Sequence, residues 1–125
     1  MTAMPTKTFW CEAIALNSTT GHPHWLGAHA TSTPRLALRW IRTRALAIRD
    51  QVDTPERWLI DAWLRDDREH QYALDLLTTG GMYAHTIHEH ALHYLLTARP
   101  IPRTAAHQPG DTCMHEYARE AADAR

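Results

Sequence analysis

Lysine is almost missing from this chain: Lys7 is the only one, against 12 arginines, in 125 residues. With a formal net charge of −1, no global cationic field draws the protein to nucleic acid or to a membrane. Cysteine is scarce too. Cys11 and Cys113 stand near opposite ends with no close spacing, which excludes a disulfide framework and a cysteine-rich zinc site. No apolar run approaches the roughly 20 residues that a membrane-spanning helix needs, and the N-terminus lacks a secretory apolar segment. A cytoplasmic protein with no membrane association is expected. Catalytic signatures are absent as well: there is no Gly-x-Ser-x-Gly elbow and no phosphate-cradling glycine loop. An enzyme is therefore not expected.

What the chain does have is histidine, 10 in all, with four of them among residues 85–93. Imidazole ligates metals and titrates near neutral pH. The metalloprotease motif His-Glu-x-x-His fails here, because Leu92 occupies the second ligand position after His88-Glu89. Arginine bias together with abundant Ala, Thr, His and Trp looks like GC-rich coding, which accounts for part of the excess.

At this length, with 44% hydrophobic and 22% charged residues, one soluble globular domain is expected over 1–125. Its core should lie at about 8–102, with a tail over 103–125 that is either partly disordered or a short helix from Cys113. Residues 8–16 (TFWCEAIAL) read as a strand with Phe9, Cys11, Ala13 and Ala15 on one face and Trp10, Glu12, Ile14 and Leu16 on the other. Gly21 and Pro23 mark a turn, and 24–31 read as a second strand.

Thr33 and Pro34 then start a helix whose apolar residues recur at Ala37, Ile41, Ala45, Ile48 and Val52. Thr54-Pro55 repeats the start signal, Thr54 as cap, for a second helix with Trp58, Leu59, Ala62 and Trp63 on one stripe. A break near Asp66-Asp67 leads to a third helical piece ending about Leu77. Residues 82–98 admit two readings. As a helix they set Tyr83, Ile87, Ala91, Tyr94 and Leu95 opposite His85, Glu89 and His93. As a hairpin turning at Glu89-His90 they pair Ile87 with Leu92 and His85 with Tyr94. The glycine pair before it, the aromatic and β-branched content, and the first hairpin's need for a partner favour strands. The expected fold is α+β and two-layered: a small antiparallel sheet, β-β-α-α-β-β, with helices on one face.

The stretch 25–41 (WLGAHATSTPRLALRWI), with the later glycine pair and Thr97-Ala98-Arg99-Pro100, resembles small uncharacterised actinobacterial proteins. Those proteins recur among plasmid, phage and other mobile-element genes. The resemblance covers about half of the chain and implies a genomic setting, with no activity attached.

Three binding chemistries remain. Arg35, Arg39, Arg42 and Arg49 fall within roughly 80° of one helix face, at 100° per residue. Such guanidinium groups donate in bidentate forks to carboxylates or phosphates. The expectation is a non-enzymatic binding or regulatory module that meets a protein partner through this stripe, and forms a homo-oligomer. A nucleic-acid regulator using the same face is the alternative. On a helix, His85, Glu89 and His93 would line up as ligands for a divalent metal, a third reading that the hairpin would dismantle. Five tryptophans are many for this length, and any left exposed would mark an interface.

Overall fold

A computed structural model describes residues 7–102, so the expected C-terminal helix and tail lie outside the described residues. Its elements run β1 (Lys7–Asn17), β2 (Pro23–Thr31), α1 (Pro34–Arg49), α2 (Thr54–Leu64), α3 (Asp67–Thr78), β3 (Tyr83–Glu89) and β4 (Leu92–Pro102). The four strands form one antiparallel sheet in the order β2-β1-β4-β3, and the fold is two-layer α+β. Residues 82–98 are thus a hairpin and not a helix. The partners of the N-terminal hairpin decide the matter: β1 takes β4 along its whole length, from Lys7 opposite Pro102 to Asn17 opposite Leu92.

The turn sits at His90-Ala91, one residue later than expected, with His88 opposite His93 and His85 opposite Leu96. His90 takes a positive φ of 53°, which a two-residue hairpin turn demands and which histidine tolerates.

Alternation along β1 sends Phe9, Cys11, Ala13 and Ala15 beneath the helices. There they join Ala37, Ile41, Ala45 and Ile48 of α1, Ile60 and Trp63 of α2, Ala73 and Leu77 of α3, and Tyr83, Ile87, Leu96 and Ala98 of the second hairpin. The Cys11 thiol, fully buried, is pushed up to about 12 by burial and then by the charge of Glu12. Small residues at 13, 37, 45 and 98 let α1 lie close on the two central strands.

The helix ends follow local chemistry. The Thr33 side chain accepts from the Leu36 amide at 3.1 Å, and Pro34 opens α1 where its missing N–H costs nothing. Asp66 breaks the path between α2 and α3 by capping the new helix, accepting from the Glu69 amide at 3.1 Å. After Thr79, Gly80 takes φ 99°, and the Gly81 and Gly80 amides donate back to the carbonyls of Leu76 and Leu77. This paired closure needs a left-handed residue, which glycine supplies without strain.

Two expectations about α2 need correction. Its N-cap is Asp53, with Thr54 already inside the helix. Its buried stripe is Ile60 and Trp63, while Trp58 and Leu59 are 68% and 69% exposed. Asp61, one turn beyond Trp58, accepts from Arg49 of α1 and ties the two helices together.

Candidate binding groove

The arginine stripe does not stand as one free face. Arg49 donates in a bidentate fork to Asp61, with Nη2 3.0 Å from Oδ2. The hydrogen bond from Arg49 holds the Asp61 carboxyl below its usual range. Arg42 is half-buried and donates from Nη1 to the Leu64 carbonyl at 3.0 Å and to Nδ1 of His70 at 2.9 Å. Both arginines therefore fasten α1 to the other helices. Arg35 and Arg39 remain exposed; Arg35 lines a concavity of about 360 Å³ between α1 and α3, and Arg39 lines a larger one.

That concavity is an open groove of about 660 Å³ between the first half of α1 and the end of β2, where β1 begins. Leu36, Arg39 and Trp40 supply one wall, His29 and Thr31 the other, and Lys7 stands at its mouth. Among the described residues, none that lines it is acidic. Trp40 is half-buried against the core, its ring stacked at 6.5 Å and 8° on His29. The Arg44 guanidinium carbon lies 5.0 Å from the Trp40 ring centre, within cation–π range.

Arg44 reaches this position because of Gly27. A Cβ built on Gly27 would lie 2.3 Å from Arg44 Nη2, and the residue has φ +150°. Strand β2 also slips register between Ala13 and Ile14, so that Leu26 bulges. An isolated glycine in a strand signals such a close approach, and it was the one sequence cue to this cluster. Lys7 is the first residue of β1, one residue before the strand start expected from the sequence.

Among the described residues, strand β2 has a single neighbour, β1. Among the described residues its outward N–H and C=O groups have no ladder partners beside the groove, which makes them a template for an added strand.

The histidine segment divides as the hairpin dictates. His85 faces the helices and stacks on Trp63 at 4.2 Å. His93 lies on the opposite sheet face, its ring 4.4 Å from that of His88. His85, Glu89 and His93 do not converge, because neighbouring faces of a strand alternate. Glu89 instead meets Asp53 and His90, their ligand atoms lying within 4.8 Å of one another. The Asp53 amide donates to Glu89 Oε2 at 2.6 Å and His90 Nε2 lies 2.9 Å from Asp53 Oδ2. These bonds explain the closeness by pinning the hairpin tip to the start of α2. Asp53 also raises the affinity of His90 for a proton through its hydrogen bond.

At the other edge of the sheet, a chain of polar bonds links α2, β3 and α3. Trp63 Nε1 donates to Tyr83 Oη at 3.0 Å, and Tyr83 Oη donates to Glu69 Oε2 at 2.7 Å. His70 packs edge-on to Trp63 at 4.8 Å. The Nε2 of His85 is buried and without a hydrogen-bond partner among the described residues. Burial pushes His85 down to about 4, and burial followed by the charge of Arg42 lowers His70.

No family model matches this sequence, and neither a curated protein nor a solved structure does so. No helix of the described residues is long and apolar enough to cross a membrane.

Proposed function

We propose that this protein is a non-enzymatic binding module that captures an extended, acidic segment of a partner protein along β2. The observation that carries the reading is a groove whose described lining holds Arg39 and Lys7 and no acid, lying directly beside a strand edge that no other described strand pairs. The partner's main chain would extend the sheet by antiparallel or parallel pairing with β2. Alternate side chains of an added strand point into the groove below. An apolar one meets Leu36 and Trp40, while carboxylates meet Arg39 and Lys7 through charge-assisted hydrogen bonds.

Nucleic acid is served less well by the same groove. Base stacking needs an open aromatic face, and Trp40 is engaged by His29 and Arg44.

The test is calorimetry with synthetic six-to-eight-residue peptides that alternate Glu or Asp with Leu or Val, against basic counterparts and single-stranded oligonucleotides. Acidic peptides are expected to bind, and Lys7→Glu with Arg39→Glu to weaken binding by about tenfold or more, which is about 1.4 kcal/mol. Methylating alternate peptide nitrogens should abolish binding, since the added ladder loses its donors. Preference for oligonucleotides, binding indifferent to N-methylation, or a β2–β2 dimer that excludes peptide would overturn the proposal.

A further inference from the structure

Another concavity, of about 540 Å³, lies between the second half of α1 and the sheet, and it is more enclosed than the groove. Its floor is the helix-facing side of β1, where that strand carries only methyl groups, Ala13 and Ala15. Across the sheet, Ala15 stands between His24 of β2 and Tyr94 of β4. A row that is bulky at both ends is therefore shallow in the middle. Ala47 and Ile48 of α1 form the roof, and Leu26 and Leu92 close the sides. The volume falls within the roughly 300–1,000 Å³ typical of small-molecule sites.

The polar groups of this space are few. Among the described residues none that lines it is acidic, and Arg44 is its one permanent cation. The other inward arginines of α1 are occupied: Arg49 by Asp61, and Arg42 by Leu64 and His70. No ion pair among the described residues engages Arg44. Trp40 takes one flat face of its guanidinium. A guanidinium donates from its edge and not from its faces, so this stack fixes the plane and leaves the fork of N–H donors open. One positive charge in an apolar space matches one negative charge on an apolar body. A carboxylate accepts two parallel N–H bonds from such a fork. A phosphate dianion would bring a second charge with no permanent cation to meet it.

We propose that the concavity between α1 and the alanine floor of β1 binds a small apolar monocarboxylate, with its head on Arg44 and its body along Ala13, Ala15 and Ile48. The site makes no use of the β2 edge, so it stands or falls apart from the peptide groove.

The test is calorimetry with methyl spectroscopy on the full chain, using octanoate, phenylpropionate and octanol as probes. Octanoate should bind saturably, one per chain, and shift the methyls of Ala13, Ala15 and Ile48. Arg44→Met keeps an unbranched stem against Trp40 and removes the fork. It should weaken octanoate by about tenfold or more and leave octanol unchanged. Ala47→Leu, at an exposed helix position, fills the space from the roof. It should abolish binding without lowering the thermal midpoint of the free protein. Tighter binding of octanoate or of phenylpropionate gives the body its class, aliphatic or aromatic. Octanol binding as tightly as octanoate, shifts confined to methyls outside the space such as those of Leu36, or binding untouched by Ala47→Leu would overturn the proposal. Uptake of neither carboxylate would overturn it equally.

Discussion

Arg42 and His70 share a hydrogen bond of 2.9 Å from a guanidinium nitrogen to Nδ1 of the imidazole. A guanidinium can only donate, so Nδ1 must be the unprotonated, accepting nitrogen. The fold therefore holds His70 neutral, and one residue pair joins α1 to α3 in a way that acid would break. His85, stacked on the same tryptophan, is held neutral first by burial, with the charge of His70 pushing the same way and that of Glu69 opposing.

Stability should fall with acid along a histidine-specific window. Both histidines have folded values below the ordinary 6.5, so the unfolded chain takes up protons first. Their contribution is complete above about pH 6.5 and is lost as pH falls, for His85 until about 4. Urea midpoints measured from pH 7.5 to 4 should show this decline. His85→Phe keeps a ring against Trp63 and removes the partnerless Nε2, so it should flatten the curve and cost nothing at pH 7.

Replacing Gly27 by alanine should destabilise the protein by about 1–3 kcal/mol, from the strained φ and the clash with Arg44. Arg44 would have to leave Trp40, so the tryptophan emission spectrum should shift along with the denaturation midpoint. An unchanged midpoint would show that β2 accommodates a side chain there by moving.

Arg49 and Asp61 should behave as one unit. Arg49→Met and Asp61→Asn should each lower the urea midpoint, and the double variant should lose less than the sum. The carboxyl of Asp61 is depressed by its arginine, so the tie is present above the unfolded carboxylate value and is lost as pH falls through the folded one. A strictly additive cycle would count against the interhelical fork.

Tyr83→Phe should cost about 1–3 kcal/mol. It leaves the buried Trp63 N–H without an acceptor and Glu69 without its donor. Thermal unfolding gives the magnitude. Glu69→Gln, which keeps an acceptor for Tyr83, should cost less.

Much of this fold was legible in the sequence because its local signals agree. Thr33-Pro34 and Asp66 with Glu69 mark helix starts by capping chemistry, and the alternation of 9, 11, 13 and 15 marks the core face of β1. Residues 82–98 were ambiguous because their apolar spacing suits both periods. Only β1's need for a neighbour, a tertiary fact, resolves them. The arginine stripe was visible but its meaning was not. Asp61 and His70 lie 12 and 28 residues from the arginines they engage, and no local pattern shows such a pairing. The groove around Trp40 was hidden for the same reason: its walls come from β1, β2 and α1, and its one signal was the glycine at 27.

The middle of the sheet joins the first strand of the described chain to the last, with Lys7 opposite Pro102. During synthesis the N-terminal hairpin therefore leaves the ribosome with its inner edge bare and must wait for every helix before its central neighbour arrives. Closing so long a loop is slow relative to forming a local hairpin. The same edge that the finished protein seals is the one most exposed to mispairing at birth, and fidelity of folding rests on how soon β4 follows α3.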